Sequence, residues 1–207
     1  MTNTAVKSGL IEAVELNDVA AVENLFLGGA DINEVDGNGR GLLMVAVDAG
    51  HIEMARLLVS KGMDVNAACN NGATPLMSAA YAGHVEIIQL LIDNGVEIDA
   101  LDVNGRPALI WASYRVNNVD AIRLLVESGA DIDARALNGD TALSYAEKSE
   151  QSAVVAFLEG IPEMRRQRAA EAAARAEAVE VHVTAAERQA LLKGRALRPT
   201  IIRGMRP

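Results

Sequence analysis

The stretch from Gly72 to His84, GATPLMSAAYAGH, joins a Thr-Pro pair and a run of small residues to a histidine, as the edge of an active site would. A histidine can serve as a general base or a metal ligand, and the chain has two more, His51 and His182. Nucleophilic chemistry would fall to Cys69, the single cysteine. Each of these chemistries also needs a second group at a suitable spacing.

Such second groups are missing from the sequence. It has no Ser-His-Asp order, no glycine-rich phosphate loop and no cysteine pair, which excludes an intrachain disulfide and a cysteine-based zinc site. The carboxylates of Asp36, Asp102 and Asp140 stand beside Gly and Asn and are better explained as turn formers than as an acid–base pair. We therefore predict no enzyme activity, no catalytic residue, no metal and no cofactor.

The residues of this stretch belong to a pattern that returns every 33 positions. The recurring sets are Gly39, Gly72 and Gly105; Gly50 and Gly83; His51 and His84; and Gly29, Gly62 and Gly95. A catalytic site needs one copy only, so the recurrence indicates a repeated structural unit.

Each unit reads as two helices joined by turns, most clearly in residues 70–100. Thr74 can cap a first helix that begins at Pro75, where a missing N–H is tolerated, and that ends at Gly83. The apolar residues of the second helix are Val85, Ile87, Ile88, Leu90, Leu91 and Ile92. Gly95 closes the second helix, and an extended segment leads to the next turn.

These residues resemble the ankyrin repeat, which has a period of ~33 residues and a Thr-Pro-Leu-His signature. Here the signature reads Thr74-Pro75-Leu76-Met77, with Met77 in the place of His. The characteristic repeat ending recurs at Gly29–Asn33, Gly62–Asn66, Gly95–Asp99 and Gly129–Asp133. The resemblance implies an all-α solenoid of helix-turn-helix units with extended turn tips, in which His51 and His84 form hydrogen bonds between repeats.

We predict about five repeats over residues 1–160, with atypical first and last repeats. They cover residues 5–35, 36–68, 69–101, 102–135 and 136–160. In the fourth repeat Val116-Asn117 replaces Gly-His and Asn118 is an extra residue, which predicts a displaced turn near Tyr114 and Arg115.

The resemblance also implies protein binding through the turn tips and the concave face of the first, inner helices. All Trp and Tyr residues fall on inner helices, and Tyr, Trp and Arg are frequent anchors of interfaces. The predicted partner-binding residues are Tyr114, Arg115, Tyr81, Trp111, Asp48, Lys148, Arg40 and Arg106. Two alternatives stay open: Trp111 and Tyr145 fill space between repeats, and Arg40, Arg106 and Val103 form a solvated edge at tips that face the other way.

Residues 161–207 form a basic tail, rich in Ala and Arg, that we expect to be helical and partly extended. The tail carries ten Lys or Arg and five Asp or Glu, hence +5 of a total of −9, which leaves −14 for residues 1–160. Three roles of the tail stay open. It caps the last repeat, it docks on a partner or on its own acidic body, or it binds nucleic acid. Its predicted recognition residues are Arg198, Ile201, Ile202 and Arg203, and its apolar end could instead give weak self-association of a monomer.

The sequence thus predicts a non-enzymatic protein-binding module, namely an adaptor, a scaffold or an inhibitor of the immunity type that masks its target. The alternative is a regulator whose tail contacts nucleic-acid phosphate while the repeats hold a protein, although the acidic body disfavours nucleic acid. A cytoplasmic location without membrane contact is expected, because the chain has no export signal and no long apolar run.

Overall fold

A computed structural model describes residues 9–115 and 118–161, and these residues form five consecutive helix pairs. The helices are α1 (Gly9–Glu15), α2 (Val19–Leu27), α3 (Leu42–Asp48), α4 (Ile52–Ser60), α5 (Pro75–Ala82), α6 (Val85–Asp93), α7 (Ala108–Ala112), α8 (Val119–Glu127), α9 (Ala142–Lys148) and α10 (residues 152–161, where the description ends). The odd-numbered inner helices and the even-numbered outer helices alternate along the chain. The all-α solenoid that the sequence predicts is confirmed.

The inner helix of the third repeat begins and ends where local sequence cues place it. The hydroxyl of Thr74 accepts a hydrogen bond from the backbone N–H of Met77 at 3.4 Å, and the Met77 sulfur accepts one from the N–H of Thr74. Pro75 is the first helical residue. Gly83 ends the helix with a φ of 76°, a left-handed conformation that suits glycine.

The helices stack in two layers. Each inner helix contacts the next, from α1 through α3, α5 and α7 to α9, and the outer helices α2, α4, α6 and α8 do the same. Small residues such as Ala79, Ala80 and Ala112 are fully buried in the inner layer, which lets the inner helices approach closely. Equivalent leucines of the outer layer, Leu58, Leu91 and Leu125, are also fully buried.

The turn tips, which lie between an outer helix and the following inner helix, are joined by backbone hydrogen bonds. Each of these bonds runs from an N–H of one tip to a carbonyl of the preceding tip: Asn70 to Asn38, Val103 to Asn71 and Leu137 to Asn104, at 2.9–3.1 Å. The tips therefore follow the same repeat-to-repeat spacing as the helices.

The residue before each outer helix connects neighbouring repeats. The His51 ring nitrogen Nε2 lies 3.1 Å from the carbonyl oxygen of Glu15, which confirms the predicted bond. The prediction is wrong for His84, because its ring packs against Gly50 and makes no hydrogen bond within the described residues. In the fourth repeat this place belongs to Asn118. The extra residue does lengthen the link between the helices, as predicted, because α7 begins 33 positions after α5 but α8 begins 34 positions after α6.

Contacts divide the chain into two units, residues 1–159 and 160–207. The description ends at residue 161, so the predicted tail, with Arg198, Ile201, Ile202 and Arg203, lies outside the described residues. The proposed domain boundary at residue 160 stays a prediction. Among the helices in the described ranges, none has the length and apolar character needed to cross a membrane.

Candidate protein-binding surface

In the second repeat, the turn tip is tied to the inner helix by Arg40. Its guanidinium lies 2.7 Å from the Asp36 carboxylate, and Nη1 donates to Oδ2 of Asp48 on α3 at 2.6 Å. The Asp36 oxygen that faces the guanidinium is Oδ2, and Oδ1 accepts the backbone N–H groups of Asn38 and Arg40. Asp36 is thus a turn former, as predicted, and also the counter-ion of Arg40.

The fourth repeat has the same arrangement with aromatic residues in place of Asp48. Oδ2 of Asp102 accepts hydrogen bonds from Arg106 and from the indole N–H of Trp111, the latter at 3.2 Å. Arg106 Nη1 donates to the Tyr114 hydroxyl at 3.1 Å. The Arg106 guanidinium carbon lies 5.0 Å from the centroid of Trp111 and 5.8 Å from that of Tyr114, within the range of cation–π attraction.

In the fifth repeat a turn-tip residue again pairs with an inner-helix residue, but the carboxylate is on the tip and the cation is on the helix. Asp140 now belongs to the turn tip, and its carboxylate accepts a hydrogen bond from Lys148 on α9 at 2.5 Å. Asn138 donates both to Asp140 and to the hydroxyl of Tyr145. Asp140 is therefore an ion-pair partner as well as part of the turn, where its carbonyl accepts the N–H of Ala136 and its own N–H donates to Oδ1 of Asn138.

One spacing describes all three repeats: a tip residue contacts the residue eight positions later, which is the last residue of the inner helix in the second and fifth repeats. In the fourth repeat α7 ends at Ala112, so Tyr114 lies just beyond the helix, and the prediction that all Trp and Tyr lie on inner helices is wrong for Tyr114. The pairs are Arg40 with Asp48, Arg106 with Tyr114, and Asp140 with Lys148. The third repeat has Ala73 and Tyr81 at these positions, and alanine has no group that reaches so far. Tyr81 is left 42% exposed, more than any other aromatic residue in the described ranges.

Aromatic and cationic side chains of repeats three to five form a continuous chain of contacts, which we call the aromatic array. In order, its members are Arg115, Tyr81, Trp111, Arg106, Tyr114, Tyr145 and Lys148. The rings of Tyr81 and Trp111 meet edge to face at 6.0 Å, and those of Tyr114 and Tyr145 lie 4.5 Å apart. The array contains the only Trp and all three Tyr of the protein.

The pKa values of Asp102 and Tyr114 set the charges of the two groups that bond Arg106. Burial alone would raise the pKa of Asp102, but hydrogen bonds from Arg106 and from the backbone of Asn104 outweigh it and hold that pKa below the ordinary value. Burial raises the pKa of the Tyr114 hydroxyl, and the neighbouring Tyr145 adds to the effect. At neutral pH, Asp102 is therefore charged and Tyr114 is a neutral hydrogen-bonding group.

A sequence model described as ankyrin repeats in three copies matches residues 10–102 and 97–164 of the chain, about three quarters of its length. The chain belongs to the ankyrin-repeat family. None of the curated proteins matches it. Ankyrin repeats generally mediate contacts between proteins, so a protein-binding role follows at the level of the family.

Within this ankyrin fold, six of the eight predicted partner-binding residues lie in the aromatic array. They are Tyr81, Arg106, Trp111, Tyr114, Arg115 and Lys148, whereas Arg40 and Asp48 form their own pair in the second repeat. The alternative that placed Arg40, Arg106 and Val103 on a solvated edge holds for Val103, which is 61% exposed, and is wrong for the two arginines. Both turn back onto the inner helices, with side chains 29% and 21% exposed, because Asp36 and Asp102 hold them there.

Sequence reasoning missed the carboxylates that organise these contacts. Asp102 and Asp140 each bridge a turn tip to an inner helix. The sequence does contain a signal for the role of Asp102, since the pentapeptide Asp-x-Asn-Gly-Arg occurs twice, at 36–40 and 102–106. In the described part of the chain, no group of three or more His, Cys, Asp or Glu residues is placed to hold a metal ion.

Proposed function

We propose that this ankyrin protein binds a partner protein at the inner-helix surface of repeats three to five and that the aromatic array is the anchor of this interface. The observation that carries the proposal is the continuity of the array across three repeats. Rings and guanidinium groups held in such contacts lose little side-chain entropy on binding. Tyr, Trp and Arg are also the residue types that contribute most to interface hot spots.

The exposed ring of Tyr81 is the part of the array best placed to enter an interface. Its ring meets Trp111 edge to face, and the guanidinium carbon of Arg115 lies 5.4 Å from its centroid. Since the ring is already oriented, a partner would cover it without a large ordering cost. Trp111 and Tyr145 are half-buried and support the exposed members.

The charge of the body suggests which proteins fit. Residues 1–160 carry a formal charge of −14, which attracts a basic partner and raises its rate of association. A scaffold, an adaptor or an inhibitor that masks a basic surface, as an immunity protein does, would meet this requirement. We further propose a monomeric protein of the cytoplasm, with a repeat domain of residues 1–160 and a tail that assists binding.

The proposal is tested by capturing partners on the full chain from native lysate in the presence of nuclease and measuring their affinity for variants. Tyr81→Ala should weaken the complex at least tenfold, because it removes the most exposed ring of the array. Leu27→Ala is the matched control, since Leu27 is an exposed apolar residue of the outer helix α2 outside the array. Equal affinity of the Tyr81 variant and the native protein would place the interface elsewhere.

The alternative, a regulator that contacts nucleic acid, depends on the tail outside the described residues. Within the array, Arg106 and Lys148 are already paired with Asp102 and Asp140. We therefore rank this alternative second. It predicts a complex that survives only without nuclease and that weakens steeply as salt increases.

A further inference from the structure

The three cations of the aromatic array are not equivalent. Arg106 donates to Asp102, and Lys148 donates to Asp140, so each has a carboxylate at hydrogen-bonding distance. Arg115 is exposed and has neither an ion pair nor a hydrogen-bond acceptor for its side chain within the described residues. Arg115 and Asp48 both lie close enough to His84 to influence its pKa. Asp48 is nevertheless no counter-ion for Arg115, because its carboxylate is already paired with Arg40.

Arg115 is nevertheless held in a defined place. Its guanidinium carbon lies 5.4 Å from the centroid of the Tyr81 ring, so the planar group rests on an aromatic residue of the preceding repeat. A guanidinium has five N–H donors, and two parallel donors match the two oxygens of a carboxylate. A stacked guanidinium whose donors have no protein acceptor is suited to binding an anionic group from outside.

We propose that Arg115 binds the carboxylate of an Asp or Glu side chain from the partner, in a peptide segment that is otherwise neutral or basic. This inference rests on the proposed function and names the chemistry of the partner. The segment would place its carboxylate on Arg115 and an apolar side chain beside the exposed face of Tyr81.

The overall charge explains why a single carboxylate fits better than phosphate. The body carries −14, so a segment rich in negative charge would be repelled at long range. A phosphate adds about two negative charges and a carboxylate adds one. One carboxylate among basic residues gains the local contact with Arg115 and keeps the long-range attraction of the acidic body.

A library of random twelve-residue peptides displayed on phage, selected on the immobilised full chain, is the first part of the test. We expect the selected peptides to be basic overall and to share one Asp or Glu at a fixed position. Selection on Arg115→Gln should lose that shared carboxylate. Arg123→Gln is the matched control, because Arg123 is also an exposed arginine stacked on an aromatic ring, that of Phe157 at 4.7 Å, but lies on the outer helix α8. Selection on this control should retain the carboxylate.

The second part measures the dissociation constant of one selected peptide, of its amide analogue and of its phosphoserine analogue by fluorescence anisotropy. Replacing the peptide Glu by Gln should weaken binding about tenfold, and Arg115→Gln should weaken it equally. Combining the two changes should add little, because each removes the same contact. Arg115→Lys should recover part of the affinity, since lysine keeps the charge but not the paired donors.

Several outcomes would overturn the inference, and they separate it from the proposed function. Peptides that need Tyr81 but share no acidic residue, or that bind Arg115→Gln unchanged, refute the carboxylate site and leave the proposed function standing. Tighter binding of the phosphoserine analogue refutes the choice of carboxylate. Self-association of the full chain that Arg115→Gln abolishes would identify a second copy as the occupant. Selected peptides that depend on neither Arg115 nor Tyr81 would count against both proposals.

Discussion

Oδ2 of Asp102 lies 2.6 Å from Nη2 of Arg106, and the Asp102 side chain is only 1% exposed. The same oxygen accepts the indole N–H of Trp111. One buried carboxylate atom therefore links a turn-tip arginine to an inner-helix ring. The placement of Arg106 between Trp111 and Tyr114 depends on this atom.

Removing the Asp102 carboxylate should destabilise the protein more than the equivalent change in the second repeat. Asp102→Ala leaves Arg106 without a counter-ion and Trp111 without an acceptor, at an expected cost of about 2–3 kcal/mol in the free energy of unfolding. Asp36→Ala should cost about 1 kcal/mol, because Asp36 and Arg40 are more exposed, at 12% and 29%. Urea denaturation compares the two, and equal losses would contradict the central role of Asp102.

Stability should decrease as the pH falls below 6.5 because of His84. Burial lowers the pKa of His84, the nearby charge of Arg115 lowers it further, and Asp48 opposes them only in part. Its pKa in the folded state is therefore below the ordinary 6.5, so the unfolded chain takes up the proton first. The contribution of His84 is complete above pH 6.5 and declines as the pH falls toward the folded-state pKa.

The His84 effect can be measured with His84→Asn, since Asn118 occupies the equivalent position of the next repeat. Urea denaturation at pH 7.5 and 5.5 should show a smaller difference in the free energy of unfolding for the variant than for the native protein. An identical difference in both proteins would mean that other groups cause the pH dependence.

Gly50 should tolerate alanine poorly for two separate reasons. Its φ of 74° is unfavourable for other residues, and a Cβ there would lie 2.8 Å from Cε1 of the His84 ring. Gly95 has a similar φ of 80° but open space around the Cβ position. Gly95→Ala should therefore cost about 1 kcal/mol for the backbone alone, and Gly50→Ala about 1 kcal/mol more.

Adding His84→Ala to Gly50→Ala isolates the steric part of this cost. The ring that the new Cβ would meet is absent from the double variant. In thermal or urea unfolding, Gly50→Ala should therefore cost about as much in the His84→Ala background as Gly95→Ala costs in the native protein. The steric explanation fails if the double variant is the sum of the two single variants.

The Asn118 side chain should contribute more to stability than an ordinary surface amide. It is only 6% exposed, and its amide nitrogen donates to the carbonyls of Ala80 at 2.6 Å and Ala112 at 3.0 Å, joining two repeats. Asn118→Ala should cost about 2 kcal/mol. Asn94→Ala is the control, since among the described residues the Asn94 side chain bonds only the carbonyl of Leu90 in its own repeat, and it should cost less than about 1 kcal/mol. Comparable losses in urea unfolding would argue against a special role of Asn118.

The sequence by itself determined the repeated helix pairs of this ankyrin protein. The beginning of α5 at Pro75, its cap by Thr74 and its end at Gly83 all follow from cues within a few residues. Proline, capping hydroxyls and glycine act through the local backbone, so their effects can be read without knowing what packs against them. The placement of Tyr81, Trp111 and Tyr145 on inner helices was visible for the same reason, whereas Tyr114 lies beyond the end of α7.

Only the tertiary structure decided which of these side chains meet. The contact of Arg106 with Tyr114 spans eight positions, and that of Asn118 with Ala80 spans 38. Such contacts depend on how the turn tips fold back and how neighbouring repeats stack. The sequence shows Asp36 and Asp102 four positions before Arg40 and Arg106, but not that these carboxylates hold the arginines against the inner helices. The family resemblance implied a hydrogen bond for His84, and only the stacking of repeats places its ring against Gly50.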